Sequence, residues 1–295
     1  ILWLGRFEES LMSLNAMVDF YDRQKHYMLR YTYGNDAGVA SMVWSSWPLW
    51  LLGFPDKAIV RCQEAIDLAD WLDDTPNQLL AQIMTALLLL LMKRTQKVDQ
   101  LLQSCRSLLQ KNKGAIYAVD LQFLHGFYDF QMGGKETDLV KMCKSIDAYQ
   151  DLGNRSMLSL YYTLLAEGYF ELNEISQSDK ILQRAENFIE ETQECFYQAE
   201  VLRLRARLLE EEENFKAAET HLLQASHIAR EQKAKTLELR AAMSLGELWE
   251  KQDRTEEAYQ VVAEIYHWFT EGFDTVDLKK ARTLLERLGG TLPPT

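Results

Sequence analysis

The stretch "FPDKAIVRCQEAI", residues 54–66, decides how the rest of the chain is read. Stepping forward by forty from Ala58 meets Val98, Asp138, Ser178, Ala218 and Ala258. Twelve residues earlier in each unit stand Ser46, Ala86, Gly126, Ala166, Ala206 and Gly246. Four residues later come Cys62, Leu102, Met142, Leu182, Leu222 and Val262, and seven residues later Ala65, Cys105, Ser145, Ala185, Ala225 and Ile265. Breaker residues fall at one phase: Gly53, Lys93, Gly133, Asn173, Glu213 with Asn214, and Asp253. Self-similarity at a fixed period is the mark of a repeat architecture.

Between successive breakers there is room for two helical stretches of about 15–18 residues each, so every unit reads as an antiparallel helix pair. Short side chains recur where the two helices of a pair must approach closely. A lone pair cannot bury its apolar faces, so the pairs must stack. The offsets resemble those of the tetratricopeptide repeat, with slightly longer helices. The expected fold is all-α, a right-handed α-solenoid of antiparallel helix pairs, a TPR-like superhelix with about 40 residues per repeat. The whole chain reads as one solenoid. A partial leading repeat and a long connection occupy 1–33, six helix pairs 34–274, and a C-terminal capping helix and tail 275–295. The turn at Gly5 precedes Gly53 by forty-eight residues, and the surplus lies in 21–41, where His26 and Asp36 are placed to hydrogen-bond and fix the connection.

Composition agrees. Only 14 Gly and 5 Pro occur in 295 residues, too few for a chain of tight β-turns, while Leu, Ala, Glu, Gln, Lys and Arg favour helix. The net charge of −12 argues against nucleic acid as a partner, because phosphate binding relies on a basic surface. The longest apolar run, "TALLLLLM" at 85–92, is far short of a membrane span. Cys62, Cys105, Cys143 and Cys195 show no C-x-x-C spacing, which points to a reducing, cytoplasmic setting and away from zinc. The opening "ILWLG" lacks an initiator Met, so an excerpt of a longer protein is expected.

The closing stretch "YHWFTEGFDTVDLKKARTLLERLGG", 266–290, reads as a lid. Asp274 or Thr275 can cap a helix that carries Leu278, Ala281, Leu284, Leu285 and Leu288 on one face. Its other face holds Lys279, Lys280, Arg282 and Arg287, as a solenoid's polar-backed end requires. Trp268, Phe269 and Phe273 are expected to wedge it against the last pair.

Three motifs carry a more specific resemblance: Tyr33-Gly34-x-Asp36-x-Gly38-Val39, Leu51-Leu52-Gly53-x-Pro55-Asp56 and Trp268-Phe269-Thr270-Glu271-Gly272-Phe273-Asp274. With them the chain resembles the C-terminal helical-repeat region of large bacterial signalling proteins. Those proteins join a class III adenylate/guanylate cyclase, kinase or DNA-binding domain to an AAA-type ATPase and then to such repeats. The resemblance implies a parent protein rather than an activity of this segment. No G-x-x-x-x-G-K-[ST] loop and no other catalytic motif of that family is present.

Other candidate chemistry reads as structural. His221 and His227 are six apart and do not share a helical face. "LLEEEENF" at 208–215 lacks the alternating oxygen ligands and mid-loop Gly of a calcium loop. "GFYDFQMGGKETD" at 126–138 follows no strand and reads as a helix-helix turn. No catalytic residue, cofactor or metal is therefore expected.

The first helix of each pair lines the concave surface of such a stack. Positions equivalent to 43, 47 and 50 read Val43/Trp47/Trp50, Ile83/Leu87/Leu90, Phe123/Phe127/Phe130, Thr163/Glu167/Phe170, Arg203/Arg207/Glu210 and Met243/Glu247/Glu250. Either curvature buries the apolar half, or the surface is a docking groove. The groove reading places partner contacts on Trp47, Trp50, Leu87, Leu90, Phe123, Phe127, Phe130, Phe170, Arg203 and Arg207. The expected partner is a protein or peptide segment, including upstream domains of the same chain, with neither nucleic acid nor membrane. The competing expectations are an excerpt of a cyclase or ATPase whose chemistry lies upstream, and a solenoid that senses a small molecule.

Overall fold

A computed structural model describes residues 1–111 and 114–289; the expected tail of the capping segment, from 290 to 295, lies outside the described residues. Among the described residues there is no strand. The α-helices are α1 (Phe7–Phe20), α2 (Arg23–His26), α3 (Arg30–Tyr33), α4 (Ala37–Leu51), α5 (Pro55–Leu72), α6 (Thr75–Leu91), α7 (Val98–Lys111) and α8 (Ala115–Gly133). They continue as α9 (Glu136–Asp151), α10 (Leu158–Glu171), α11 (Ile175–Thr192), α12 (Gln198–Glu211), α13 (Phe215–Glu231), α14 (Lys235–Glu250), α15 (Thr255–Tyr266) and α16 (Val276–Arg287). Helices α4 to α15 form successive pairs whose second members begin at Pro55, Val98, Glu136, Ile175, Phe215 and Thr255.

The chain divides into two compact units. One comprises Glu8–Trp50 and Pro55–Ser156; the other comprises Ile1–Phe7, Leu51–Phe54 and Met157–Thr295.

The breaker phase is a series of left-handed residues that stop each helix: Gly53, Lys93, Gly134, Asn173, Glu213 and Asp253. A second series, Asp73, Gly153, Gln193 and Lys233, stops the other helix of the pairs. Most close in the same way. In the turn at Lys233, the amide of Ala234 donates to Ala229 O (2.8 Å) and that of Lys233 to Arg230 O (3.0 Å). The turns at Lys93, Gly153, Asn173, Glu213 and Asp253 repeat this double closure. Two otherwise orphaned carbonyls are satisfied each time, which offsets the roughly 1–2 kcal/mol that a β-carbon costs in left-handed backbone. The one shift from the expected phase is in the third pair, where Gly133 ends α8 and Gly134 makes the turn, its amide donating to Phe130 O (2.7 Å).

The small-residue positions mark the crossings. Ser46, Ala86, Gly126, Ala166, Ala206 and Gly246 are all buried, as are Ala58, Val98, Asp138, Ser178, Ala218 and Ala258 twelve residues on. A β-carbon built on Gly126 would stand 2.9 Å from Asp138 O, and one on Gly246 would stand 3.3 Å from Ala258 O. Between α10 and α11, Ser178 Oγ donates to Ala166 O (2.8 Å). The second helix thus comes close at the same offset in each of these pairs, and the first-helix position there is Gly, Ala or Ser throughout.

The long connection is organised by Asp36, which is fully buried. Its carboxylate accepts from the amides of Gly38 and Val39 at the start of α4 and from Tyr21 Oη (2.8 Å). Its own amide donates to Asn77 Oδ1 (2.8 Å). His26 bonds elsewhere, its Nδ1 accepting from the Asp22 amide (3.0 Å).

At the other end, Thr275 rather than Asp274 is the N-cap of α16. Leu278, Ala281, Leu284 and Leu285 are buried in one cluster with Val262, Ile265, Tyr266 and Phe269, and Phe273 packs against it. Trp268 departs from its expected wedge role. It is 38% exposed and meets Phe54, ring centroids 5.6 Å apart.

Candidate functional site: the first-helix face

The structure divides the ten expected groove residues into two sets. Trp47, Trp50, Leu87, Leu90, Phe123, Phe127 and Phe130 are all buried, none more than 6% exposed. As they stand they are core, not an open aromatic groove. Trp47 meets Trp50 edge-on at 6.5 Å, and Phe123 meets Phe127 at 6.4 Å. Spacing of i, i+4, i+7 establishes that side chains share a helix face, but not whether that face meets solvent. Helix α6 carried a stronger signal, since it is apolar nearly all round and buried from Leu79 to Leu91, as such helices are.

Phe170, Arg203 and Arg207 are only partly buried, and they sit together. Arg203 and Arg207, one turn apart on α12, both reach Glu167 Oε1 on α10, each at 3.2 Å. The Arg207 guanidinium lies 4.2 Å from the centroid of the Phe170 ring, a cation–π contact. Arg203 is also held by both oxygens of Glu200 (3.0 and 3.1 Å). Glu200 Oε2 in turn accepts from Arg240 on α14 (3.4 Å), and Arg240 Nε donates to Asp277 on α16 (2.8 Å). A chain of ion pairs therefore joins α10, α12, α14 and α16, every second helix of one unit. Sequence reasoning singled out Arg203 and Arg207 but missed Glu200, Arg240 and Asp277. Their separations of 37–40 residues, one repeat each, were the available signal.

The two arginines differ. Burial works against the charge of Arg203, but Glu200 and Glu167 outweigh it and raise its pKa. For Arg207, burial and then the neighbouring Arg203 lower the pKa. Arg207 shares one carboxylate oxygen with Arg203, and its side chain keeps 30% exposure. It uses one of its five N–H donors on Glu167. Chemically this is a partly desolvated cation on an aromatic platform, suited to accept a carboxylate.

Among the described residues, no group of three or more His, Cys, Asp or Glu is placed to hold a metal ion, and no helix is long and apolar enough to cross a membrane.

The fold places the chain among all-α proteins built from TPR-like helix pairs. The apo form of RapI is similar in structure, with a TM-score of 0.51 at 14% identity over 85% of this chain and 70% of that one. So is a signal transduction ATPase with numerous domains from Pyrococcus horikoshii, a protein with a tetratricopeptide repeat sensor, with a TM-score of 0.51 at 11% identity over 89% of this chain. This chain spans 45% of that protein's length. No family model and no curated protein matches the sequence.

Proposed function

We propose that this chain is a non-catalytic interaction and regulatory region of a larger signalling protein, and that it binds an acidic protein segment along the face of α10, α12 and α14. The observation that carries the reading is the pairing of Arg203 and Arg207 on a single oxygen of Glu167, with Arg207 spread over Phe170 and partly exposed. A partner carboxylate would supply the acceptor that Glu167 divides between two cations. Phe170 would supply apolar contact beside it, the combination that anchors typical interfaces. The similarity to an ATPase bearing a repeat sensor supports a place within a longer chain, as does the resemblance in the three sequence motifs. The free cysteines support a cytoplasmic setting.

The test is selection from a displayed peptide library on the folded chain, followed by titration of the recovered peptides. Acidic peptides should be enriched, and Arg207→Ala should weaken them by roughly tenfold or more, the scale of a lost charge-assisted bond. Arg184→Ala, on the second helix α11, should leave affinity unchanged. Binders indifferent to Arg207 would overturn the assignment.

A further inference from the structure

Helix α1 is tied to α5 by Asn15, whose Oδ1 accepts from Arg61 Nη1 (2.9 Å). Its inward side is Phe7, Ser10, Leu11, Leu14 and Val18, all buried or half-buried. A helix seated in this way ordinarily turns charged and polar residues outward. On three successive turns α1 does the reverse: Met12, Ala16 and Phe20 stand at i, i+4 and i+8 on the outward side, and all three are exposed. Phe20 is 80% exposed and Met12 73%, the two highest values for any large apolar side chain among the described residues. The Phe20 ring is held by stacking on His26, with centroids 5.5 Å apart and planes 17° from parallel. Just beyond α1, the Arg23 guanidinium lies 4.7 Å from the centroid of the exposed Trp71 ring.

We infer that this stripe is the contact between two copies of the chain, with α1 packing antiparallel on α1 about a two-fold axis at Ala16. The order large, small, large reads the same in both directions, so the stripe complements itself. Met12 of one copy covers Phe20 of the other, and Ala16 meets Ala16 where the helices cross. Such a crossing needs a short side chain at its centre, and a two-fold pair presents the same patch from both sides. Charge sets the direction. Arg6, Glu8 and Glu9 stand at the start of α1, while Asp22, Arg23 and Lys25 follow its end. The start is net negative and the segment past the end net positive. An antiparallel pair sets these opposite ends together, whereas a parallel pair sets like against like. Lys25 is held by Asp22 (3.1 Å), so Arg23 is the cation that meets Glu9 of the other copy. The pairing does not involve Arg207, and failure of either proposal leaves the other standing.

Sedimentation of the full chain over a wide range of concentration tests it. A patch this short makes a weak interface, so a monomer at the dilute end should give way to a dimer with a dissociation constant on the order of 10 μM. Phe20→Glu should weaken the dimer by roughly tenfold or more, because the two-fold axis repeats each lost contact. Its thermal unfolding should match wild type, since Phe20 is exposed. Ala16→Cys reads the axis directly: under mild oxidation it should give a disulfide-linked dimer. Wild type with its four cysteines, and Met132→Cys on an exposed position of α8, should not. A monomer at every concentration, a dimer indifferent to Phe20→Glu, or no crosslink above wild type in Ala16→Cys overturns the pairing. So does a monomeric chain that co-sediments with vesicles of phosphatidylcholine and phosphatidylserine, which would give the stripe to a lipid surface.

Discussion

Replacing Gly126 by Ala tests whether helix crossings, rather than helix propensity, set the small-residue register. In an unhindered helix interior the change stabilises by about 1 kcal/mol. Here the new methyl would meet Asp138 O at 2.9 Å, Met142 Cγ at 2.9 Å and Met142 N at 3.2 Å. The methionine side chain can move aside, but the two backbone atoms belong to α9 and shift only if the helix does. Overpacking of this kind costs about 1–3 kcal/mol, so the propensity gain is cancelled or exceeded. Gly133, at the exposed end of the same helix, has nothing within 4 Å of its β-carbon position. Gly133→Ala should be neutral or slightly stabilising. Both residues lie in α8 and report on one transition, so the comparison removes any doubt about which unit is unfolding. With a urea slope of about 2 kcal/mol per molar, the midpoint of Gly126→Ala should lie roughly 1 M below that of Gly133→Ala. Coincident midpoints, or a Gly126→Ala protein more stable than wild type, would refute the crossing geometry.

Two further outcomes are expected. Deleting residues from 275 onward removes the partners of Val262, Ile265 and Phe269 in one apolar cluster; the shortened chain should self-associate in analytical ultracentrifugation, and a stable monomer would show that α16 is not a cap. His125 is partly buried, its Nε2 placed 3.2 Å from Arg106 Nη2, and burial followed by Arg106 depresses its pKa below the ordinary 6.5. A histidine kept neutral in the fold contributes stability above the unfolded pKa and loses it as pH falls through 6.5 toward the folded value. The urea midpoint should therefore drop between pH 7.5 and 5, and His125→Asn should flatten that drop; an identical slope in the variant would remove His125 as the cause.

What the sequence by itself determined is whatever recurs. The forty-residue step in Ala58, Ala218 and Ala258, and the breakers at Lys93, Asn173, Glu213 and Asp253, lie where helices cross and stop. Close approach demands small side chains, and helix termination demands left-handed backbone, and both requirements are written locally in residue type. Exposure is not written in this way. Trp47 and Phe127 share a repeat position with Glu167 and Arg207, yet the aromatic pair is buried and the charged pair is partly open. The same offset within a repeat can face a neighbouring helix or water, according to how the helices around it pack. The turn of Trp268 toward Phe54 and the seating of Gly5 and Gly53 on loops some two hundred residues away have no periodic signature at all. They depend on which surfaces meet when distant segments come together, and only the tertiary structure decides that.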